Sequence, residues 1–170
     1  MPSPRASSGA ASNDVYTKPS RRPHNGLKDQ VNQAGSEDTQ LPTILIAEDN
    51  DDLRSMLRQL LEANGYRVLE AVDGREAVSV AMTERPELVL MDLGLPGTDG
   101  LSAVTEIREH ISAAEVLILI VSAYDRLEYR TEAISAGCSG YITKPIDPAA
   151  LLKTINLLLG RGEGNEGASA

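Results

Sequence analysis

Three acids, a hydroxyl and a lysine stand in this sequence directly behind runs of apolar residues. Glu48 and Asp49 follow TILIA (43–47), Asp92 follows LVLM (88–91), Ser122 follows VLILIV (116–121), and Lys144 follows YIT (141–143). A carboxylate at the end of a buried run is costly unless a cation or a hydrogen-bond donor meets it. Three carboxylates gathered in one place also repel one another. Such a set, joined by backbone carbonyls, suits a hard cation that prefers oxygen, and Mg2+ is the fitting ion where few protein ligands leave room for water and phosphate.

Each residue alone has a plainer explanation. Asp49 or Asn50 serves as a cap for a helix beginning near Asp51, Ser122 as a cap for the helix or turn after it, and Lys144 as a solvated loop charge. The functional reading rests on the combination at one rim. Other chemistries fail on spacing. A calcium loop starting at Asp49 would place Leu53 and Arg54 where an oxygen ligand and a glycine belong. GLPGTDG (94–100) is GxxGxxG rather than GxGxxG, and Pro96 removes an amide donor, so it is a poor dinucleotide loop. No GxxxxGK[ST] sequence occurs, and neither His24 nor His110 has a neighbour at metal-binding spacing. No Ser-His-Asp or Cys-His arrangement is visible.

The elements that must hold these groups follow from periodicity. The four apolar runs, with a weaker fifth at VLEAV (68–72), fit strands covered on both faces. Between them the period becomes helical. Leu53, Met56, Leu57, Leu60 and Leu61 make one stripe, with Arg54, Arg58 and Glu62 opposite; Leu101, Val104, Ile107 and Ile111 make another, and Leu151, Leu152, Ile155, Leu158 and Leu159 a third. Residues 74–84 and 125–136 read as further helices with alanine in place of larger residues. Strand and helix alternate five times, which predicts an α/β fold: a five-stranded parallel sheet with helices on both faces and right-handed crossovers. Sites in such sheets lie beyond the carboxyl ends of the strands, where the acids, Ser122 and Lys144 fall.

Composition marks the boundaries. Residues 1–40 contain Val15, Leu27 and Val31 as their aliphatic content against six serines, four prolines and three glycines, and are expected to be a disordered N-terminal extension. Residues 41–160 form the folding unit, and 161–170 a flexible tail. The folding unit carries a net charge of −9, which disfavours nonspecific binding to nucleic acid. One cysteine, Cys138, excludes an internal disulfide and points to packing in a reducing compartment. No run approaches the ~20 apolar residues of a membrane span and no signal peptide opens the chain, so a cytoplasmic location is expected.

With AED at the first strand end, MDLGLPGTDG at the third, VSAY at the fourth and GYITKP at the fifth, residues 41–160 resemble the receiver domain of response regulators in two-component signalling. The resemblance implies a flavodoxin-like (βα)5 fold with strand order 2-1-3-4-5. It implies that Asp92 is the phosphoacceptor and that Glu48 and Asp49 hold Mg2+ together with Asp92 and the Gly94 carbonyl. Ser122 matches the hydroxyl that contacts the phosphoryl group, Tyr141 the switch aromatic, and Lys144 the family's cation, followed by a cis bond to Pro145. Ala123 leaves room for the phosphoryl group to enter. Gly94 and Tyr124 depart from many relatives at positions that flank the attacking water.

The implied partners are a sensor histidine kinase or histidine phosphotransfer protein as donor and a downstream protein as target. The signal would leave through the surface of the fourth helix, fifth strand and fifth helix, as Tyr141 enters space vacated by Ser122. No output domain is expected after residue 160. The protein would be a signalling switch that promotes its own phosphorylation and dephosphorylation, not an enzyme turning over external substrates. Two rivals are a receiver-like adaptor that does not use phosphate and a phosphatase with an aspartate nucleophile. The second lacks the acid such enzymes need two places after the first, where Gly94 stands.

Overall fold

The computed structural model describes residues 40–162 and one short strand, Tyr16–Thr17. In chain order the elements are β1 (Tyr16–Thr17), β2 (Thr43–Ala47), α1 (Asp51–Ala63), β3 (Arg67–Ala71), α2 (Gly74–Glu84), β4 (Leu88–Asp92), α3 (Gly100–His110), β5 (Leu117–Ser122), α4 (Leu127–Ala136), β6 (Gly140–Thr143) and α5 (Pro148–Leu158). The sheet order is β1-β6-β5-β4-β2-β3. Strands β2 to β6 are parallel and, counted among themselves, run 2-1-3-4-5.

The two-residue alternation of a strand divides the core into two layers. Leu45, Val89, Met91, Ile118 and Ile120 face one side, where α2, α3 and α4 supply Ala77, Ala81, Ala103, Val104, Ile107 and Ala133. Ile44, Ile46, Leu88, Leu90 and Leu119 face the other, against Leu57 and Leu61 of α1 and Leu151, Ile155 and Leu158 of α5. Every residue of β4 and β5 is buried, which is why these strands read as continuous apolar runs. Each fully buried Leu or Ile contributes about 1.5–3 kcal/mol, so the central strands are firmly held and the site at their ends inherits that rigidity.

Several expected boundaries move by a residue or two. Val116 and Val72 lie outside β5 and β3, Gly140 joins β6, and α4 starts at Leu127 rather than at Asp125. In α1 the stripe narrows to Leu57 and Leu61. Met56 is 41 % exposed, because it lies at the margin of the face that meets the sheet. Alanine-rich α2 packs as expected, its small side chains allowing close approach. Helix α4 buries little besides Ala133, consistent with its weak periodicity.

One short strand lies within residues 1–40. Tyr16–Thr17 pairs antiparallel with β6, Tyr16 opposite Tyr141 and Thr17 opposite Gly140, so the sheet has six strands. The sheet edge supplies backbone partners that a scan for apolar runs cannot see. His24, also in that extension, lies outside the described residues, whereas His110 is exposed in the last turn of α3.

Candidate functional site

Strand register brings the predicted groups together. Ala47 pairs with Met91, so the residues that follow on β2 and β4, Glu48 and Asp92, leave the sheet side by side. Asp92 pairs with Val121 and Ser122 with Thr143, which sets the hydroxyl and Lys144 at the same rim. The Lys144 N–H donates to the Ser122 carbonyl at 2.8 Å, tying the last two strand ends together. The Lys144–Pro145 bond is cis.

The cap of α1 is Asn50. Its Oδ1 accepts from the Leu53 N–H at 2.9 Å, and Asp49 is exposed and not used as the cap. Glu48, by contrast, is 4 % exposed and its Oε1 accepts from the Asn50 N–H at 3.1 Å. Carboxylate oxygens of Glu48, Asp49 and Asp92 all lie within 4.8 Å of one another.

Lys144 answers the burial of two of these acids. Its Nζ donates to Glu48 Oε2 at 2.8 Å and to Asp92 Oδ2 at 3.1 Å. Burial disfavours the lysine charge, but the hydrogen bond to Glu48 and the charge and hydrogen bond of Asp92 outweigh it, and the Lys144 pKa is raised. The other Asp92 oxygen, Oδ1, accepts from the Gly94 N–H at 3.0 Å. One lysine cannot neutralise three carboxylates, and the remaining donors are all hard oxygens. That donor set fits a divalent cation of the Mg2+ type.

Arg54, which the helical pattern placed on the solvent side, turns out to support this rim. Its guanidinium Nη1 donates to the Glu48 carbonyl at 2.9 Å, while Nη2 pairs with Asp51 and Nε lies 3.3 Å from Glu70 on β3. The side chain is 15 % exposed, and its pKa is raised chiefly by the Asp51 hydrogen bond. The legible signal was an Asp–Arg pair at i,i+3 in the first turn of a helix. A backbone carbonyl six residues earlier left none.

Below the acids, the turn after Asp92 is gripped by two helix starts. A Cβ built on Gly100 would lie 2.1 Å from the Asp92 carbonyl oxygen, and one on Gly74 would lie 2.0 Å from that of Thr98. Glycine is required at both positions for this close approach. Asp99 caps α3 through the Leu101 and Ser102 N–H groups, each at 3.0 Å, and those bonds, the Ser102 amide foremost, hold its pKa below the ordinary carboxylate value.

Ser122 is fully buried and its Oγ accepts from the Tyr124 N–H at 3.1 Å, so part of its work is to shape the turn. Tyr141 is also fully buried, with its hydroxyl donating to the Tyr124 carbonyl. Burial pushes its phenol pKa up, offset in part by the Ser122 hydroxyl beside it. The ring is therefore already inside in this structure. Arg130 of α4 lies over it, 5.4 Å from the centroid, and donates to Thr143 Oγ1 at 3.1 Å. Tyr124 and Tyr129 stack with centroids 4.7 Å apart on the exposed side. Neither Arg130 nor this stack was visible in the sequence, because α4 has almost no periodic signal to orient its residues.

The arrangement presents a carboxylate, Asp92, at the head of a small acidic cleft with an ammonium group on one of its oxygens and an exposed alanine, Ala123, at the entrance. Such a cleft can hold a divalent cation and receive an anionic tetrahedral group. A family model described as the response regulator receiver domain matches residues 44–156. Protein PilH of Pseudomonas aeruginosa is 34% identical over 116 residues, which is 68% of this chain and 96% of PilH. Response regulator MprA of Mycolicibacterium vanbaalenii is 34% identical over 125 residues, covering 74% of this chain but 53% of MprA, so the chain spans about half the length of that relative. Among solved structures, the receiver domain of sensor histidine kinase PA1611 from Pseudomonas aeruginosa, which holds a magnesium ion in its active site cleft, superposes with a TM-score of 0.65. It is 34% identical and is matched over 70% of this chain and 98% of its own.

Proposed function

The chain belongs to the response regulator receiver family, and from that premise we propose that it is a phosphorylation-dependent signalling switch in which Asp92 is the phosphoacceptor. The observation that carries the reading is Lys144 Nζ bridging Asp92 and Glu48, because it places a fixed cation against the oxygen of the carboxylate that must react. The donor is a phosphohistidine on a sensor kinase or a histidine phosphotransfer protein. An Asp92 oxygen attacks phosphorus, the P–N bond breaks, and the imidazole leaves.

Receiver domains bind Mg2+ at an acidic pocket, and here Glu48, Asp49, Asp92 and the Gly94 carbonyl would hold it. Bound there, the ion supplies charge neutralisation for the phosphoryl oxygens. The protein's own groups do the rest. Lys144 stabilises negative charge developing on the transferred group, the Gly94 N–H holds Asp92 Oδ1 and so orients the carboxylate, and Ser122 turns its hydroxyl toward a phosphoryl oxygen.

When Ser122 makes that turn it releases the Tyr124 N–H and the neighbourhood of the Tyr141 hydroxyl. The message leaves through α4, β6 and α5. Helix α4 is suited to move because its buried anchor is Ala133 and most of its other residues are exposed. Tyr141 is fully buried beside Ser122 with its hydroxyl on the Tyr124 carbonyl, which couples the ring to any movement of Ser122. Residues 41–160 are the receiver unit, flanked by extensions, and the output is contact with a downstream protein. The acidic surface argues against direct nucleic-acid binding, and no helix among the described residues is long and apolar enough to cross a membrane. We assign the switch to the cytoplasm, where a soluble kinase domain can reach it.

Incubation with Mg2+ and a small-molecule phosphodonor, followed by intact-mass measurement, tests the assignment. One phosphoryl adduct is expected on the wild type and none on Asp92→Asn. No adduct on the wild type favours the adaptor reading, and an adduct on Asp92→Asn removes the role given to Asp92.

A further inference from the structure

Without β1 the sheet would end in a bare edge at β6, with backbone donors and acceptors open to any extended chain. Which groups face outward follows from the interior side. The Leu117 N–H donates to the Glu87 carbonyl, so alternate residues 118, 120 and 122 of β5 turn toward β6, and there the Lys144 N–H donates to the Ser122 carbonyl. Backbone groups alternate sides along a strand, so residues 140, 142 and 144 turn toward β5, and Tyr141 and Thr143 turn to the edge. Strand β1 lies on that edge with Thr17 opposite Gly140 and Tyr16 opposite Tyr141. In this antiparallel register Tyr16 and Tyr141 form the pair that exchanges both N–H···O bonds, and Thr17 and Gly140 form the non-hydrogen-bonded pair.

We infer that Tyr16–Thr17 is an intrachain strap that occupies the sheet edge at β6, so that an extended segment of a partner must displace it to add a strand there. The chain can reach: twenty-five residues separate Thr17 from Thr43, up to about 80 Å of extended backbone, against about 20 Å for four strand spacings. Covalent attachment gives the strap an effective concentration on the order of millimolar, enough to fend off weak, nonspecific edge pairing. A strap that makes a single closely bonded pair is nonetheless displaceable by a longer strand. Its partner therefore belongs to the class that binds by β-strand addition, an extended peptide offering several main-chain hydrogen bonds. Because β6 carries Tyr141 and leads into Lys144, displacement of the strap and occupancy of the acidic cleft would influence one another reciprocally; this consequence, unlike the strap itself, rests on the function proposed above.

Amide hydrogen exchange on the full-length chain, without Mg2+ or phosphodonor, tests the strap independently of Asp92 chemistry. Tyr16→Pro removes the N–H that donates to Tyr141 and breaks the bonded pair. The Tyr141 amide is expected to exchange about tenfold faster in that variant, with the Leu90 amide in the central strand unchanged. Thr17→Pro removes an N–H that points away from β6 and should change the Tyr141 rate by less than about twofold. Equal Tyr141 exchange in the wild type and Tyr16→Pro, or equal acceleration by the two prolines, overturns the strap and its register.

Discussion

Replacing Gly100 with alanine puts a carbon where the backbone of Asp92 already lies. The new Cβ would sit 2.1 Å from the Asp92 carbonyl oxygen and 2.8 Å from the Leu93 Cα, well inside the 3.0 Å floor that real Cβ contacts respect. About 0.9 Å must open between the start of α3 and the end of β4, and neither side is a flexible side chain. Overpacking of this kind costs about 1–3 kcal/mol. If β4 takes up the movement, the 3.1 Å contact between Asp92 and Lys144 stretches beyond hydrogen-bonding distance. A misplacement of about 1 Å costs roughly 100-fold in rate at a reacting centre. Gly94→Ala is the matched control, since its Cβ would meet the Asp92 carboxylate at 3.6 Å, an ordinary contact, and should change stability by less than about 0.5 kcal/mol. Urea denaturation gives the stability difference and timed intact-mass measurement with a small phosphodonor gives the rate. A Gly100→Ala protein with the wild-type urea midpoint and the wild-type phosphorylation rate refutes the claim that α3 braces Asp92 through its backbone.

Mg2+ should raise the thermal midpoint, because the acidic cluster exists as a site only in the folded chain; each tenfold excess over the dissociation constant adds about 1.4 kcal/mol. In Asp49→Ala the metal-free protein should keep its stability while the Mg2+ response shrinks, and an undiminished response in melting curves would remove Asp49 from the ligand set. Burial pushes the Cys138 thiol up to about 11. A raised folded-state value means stability fully present below the unfolded thiol's pKa near 9 and lost as pH climbs toward 11. Urea midpoints of wild type and Cys138→Ala compared across that window should therefore converge or cross as pH rises, and at pH 8 alkylation of Cys138 should be slow until the protein is denatured. A gap between the two proteins that stays constant from pH 8 to about 11 would contradict the burial argument.

Much of the architecture could be read in advance because its signals are local. Fully buried strands must be apolar throughout, so β2, β4 and β5 stand out as runs, and the alternation of runs with helical stripes leaves few topologies. The rim residues were legible for the same reason: a polar group ending an apolar run has a short list of possible settings. Asn50 was named beside Asp49 as a candidate cap, but nothing in the letters decided between them; the backbone turn did, and the choice left Asp49 exposed at the rim. Arg54 and Arg130 were illegible as supports because each acts on a carbonyl, ring or hydroxyl supplied by another element. The Tyr16–Thr17 strand escaped because its partner is a sheet edge rather than an apolar face.

By itself the sequence determined the kind of chemistry: carboxylates, a hydroxyl and an ammonium group, each fixed by covalent order at the end of its own strand. Only the tertiary structure decided that Glu48 and Lys144, 96 positions apart, would meet at 2.8 Å. It likewise decided that Tyr141 would be shut inside with its hydroxyl on the Tyr124 carbonyl. The reason is that side-chain type travels with the chain, whereas distance across a sheet is set by register and by the packing of helices on both faces, which no single segment contains.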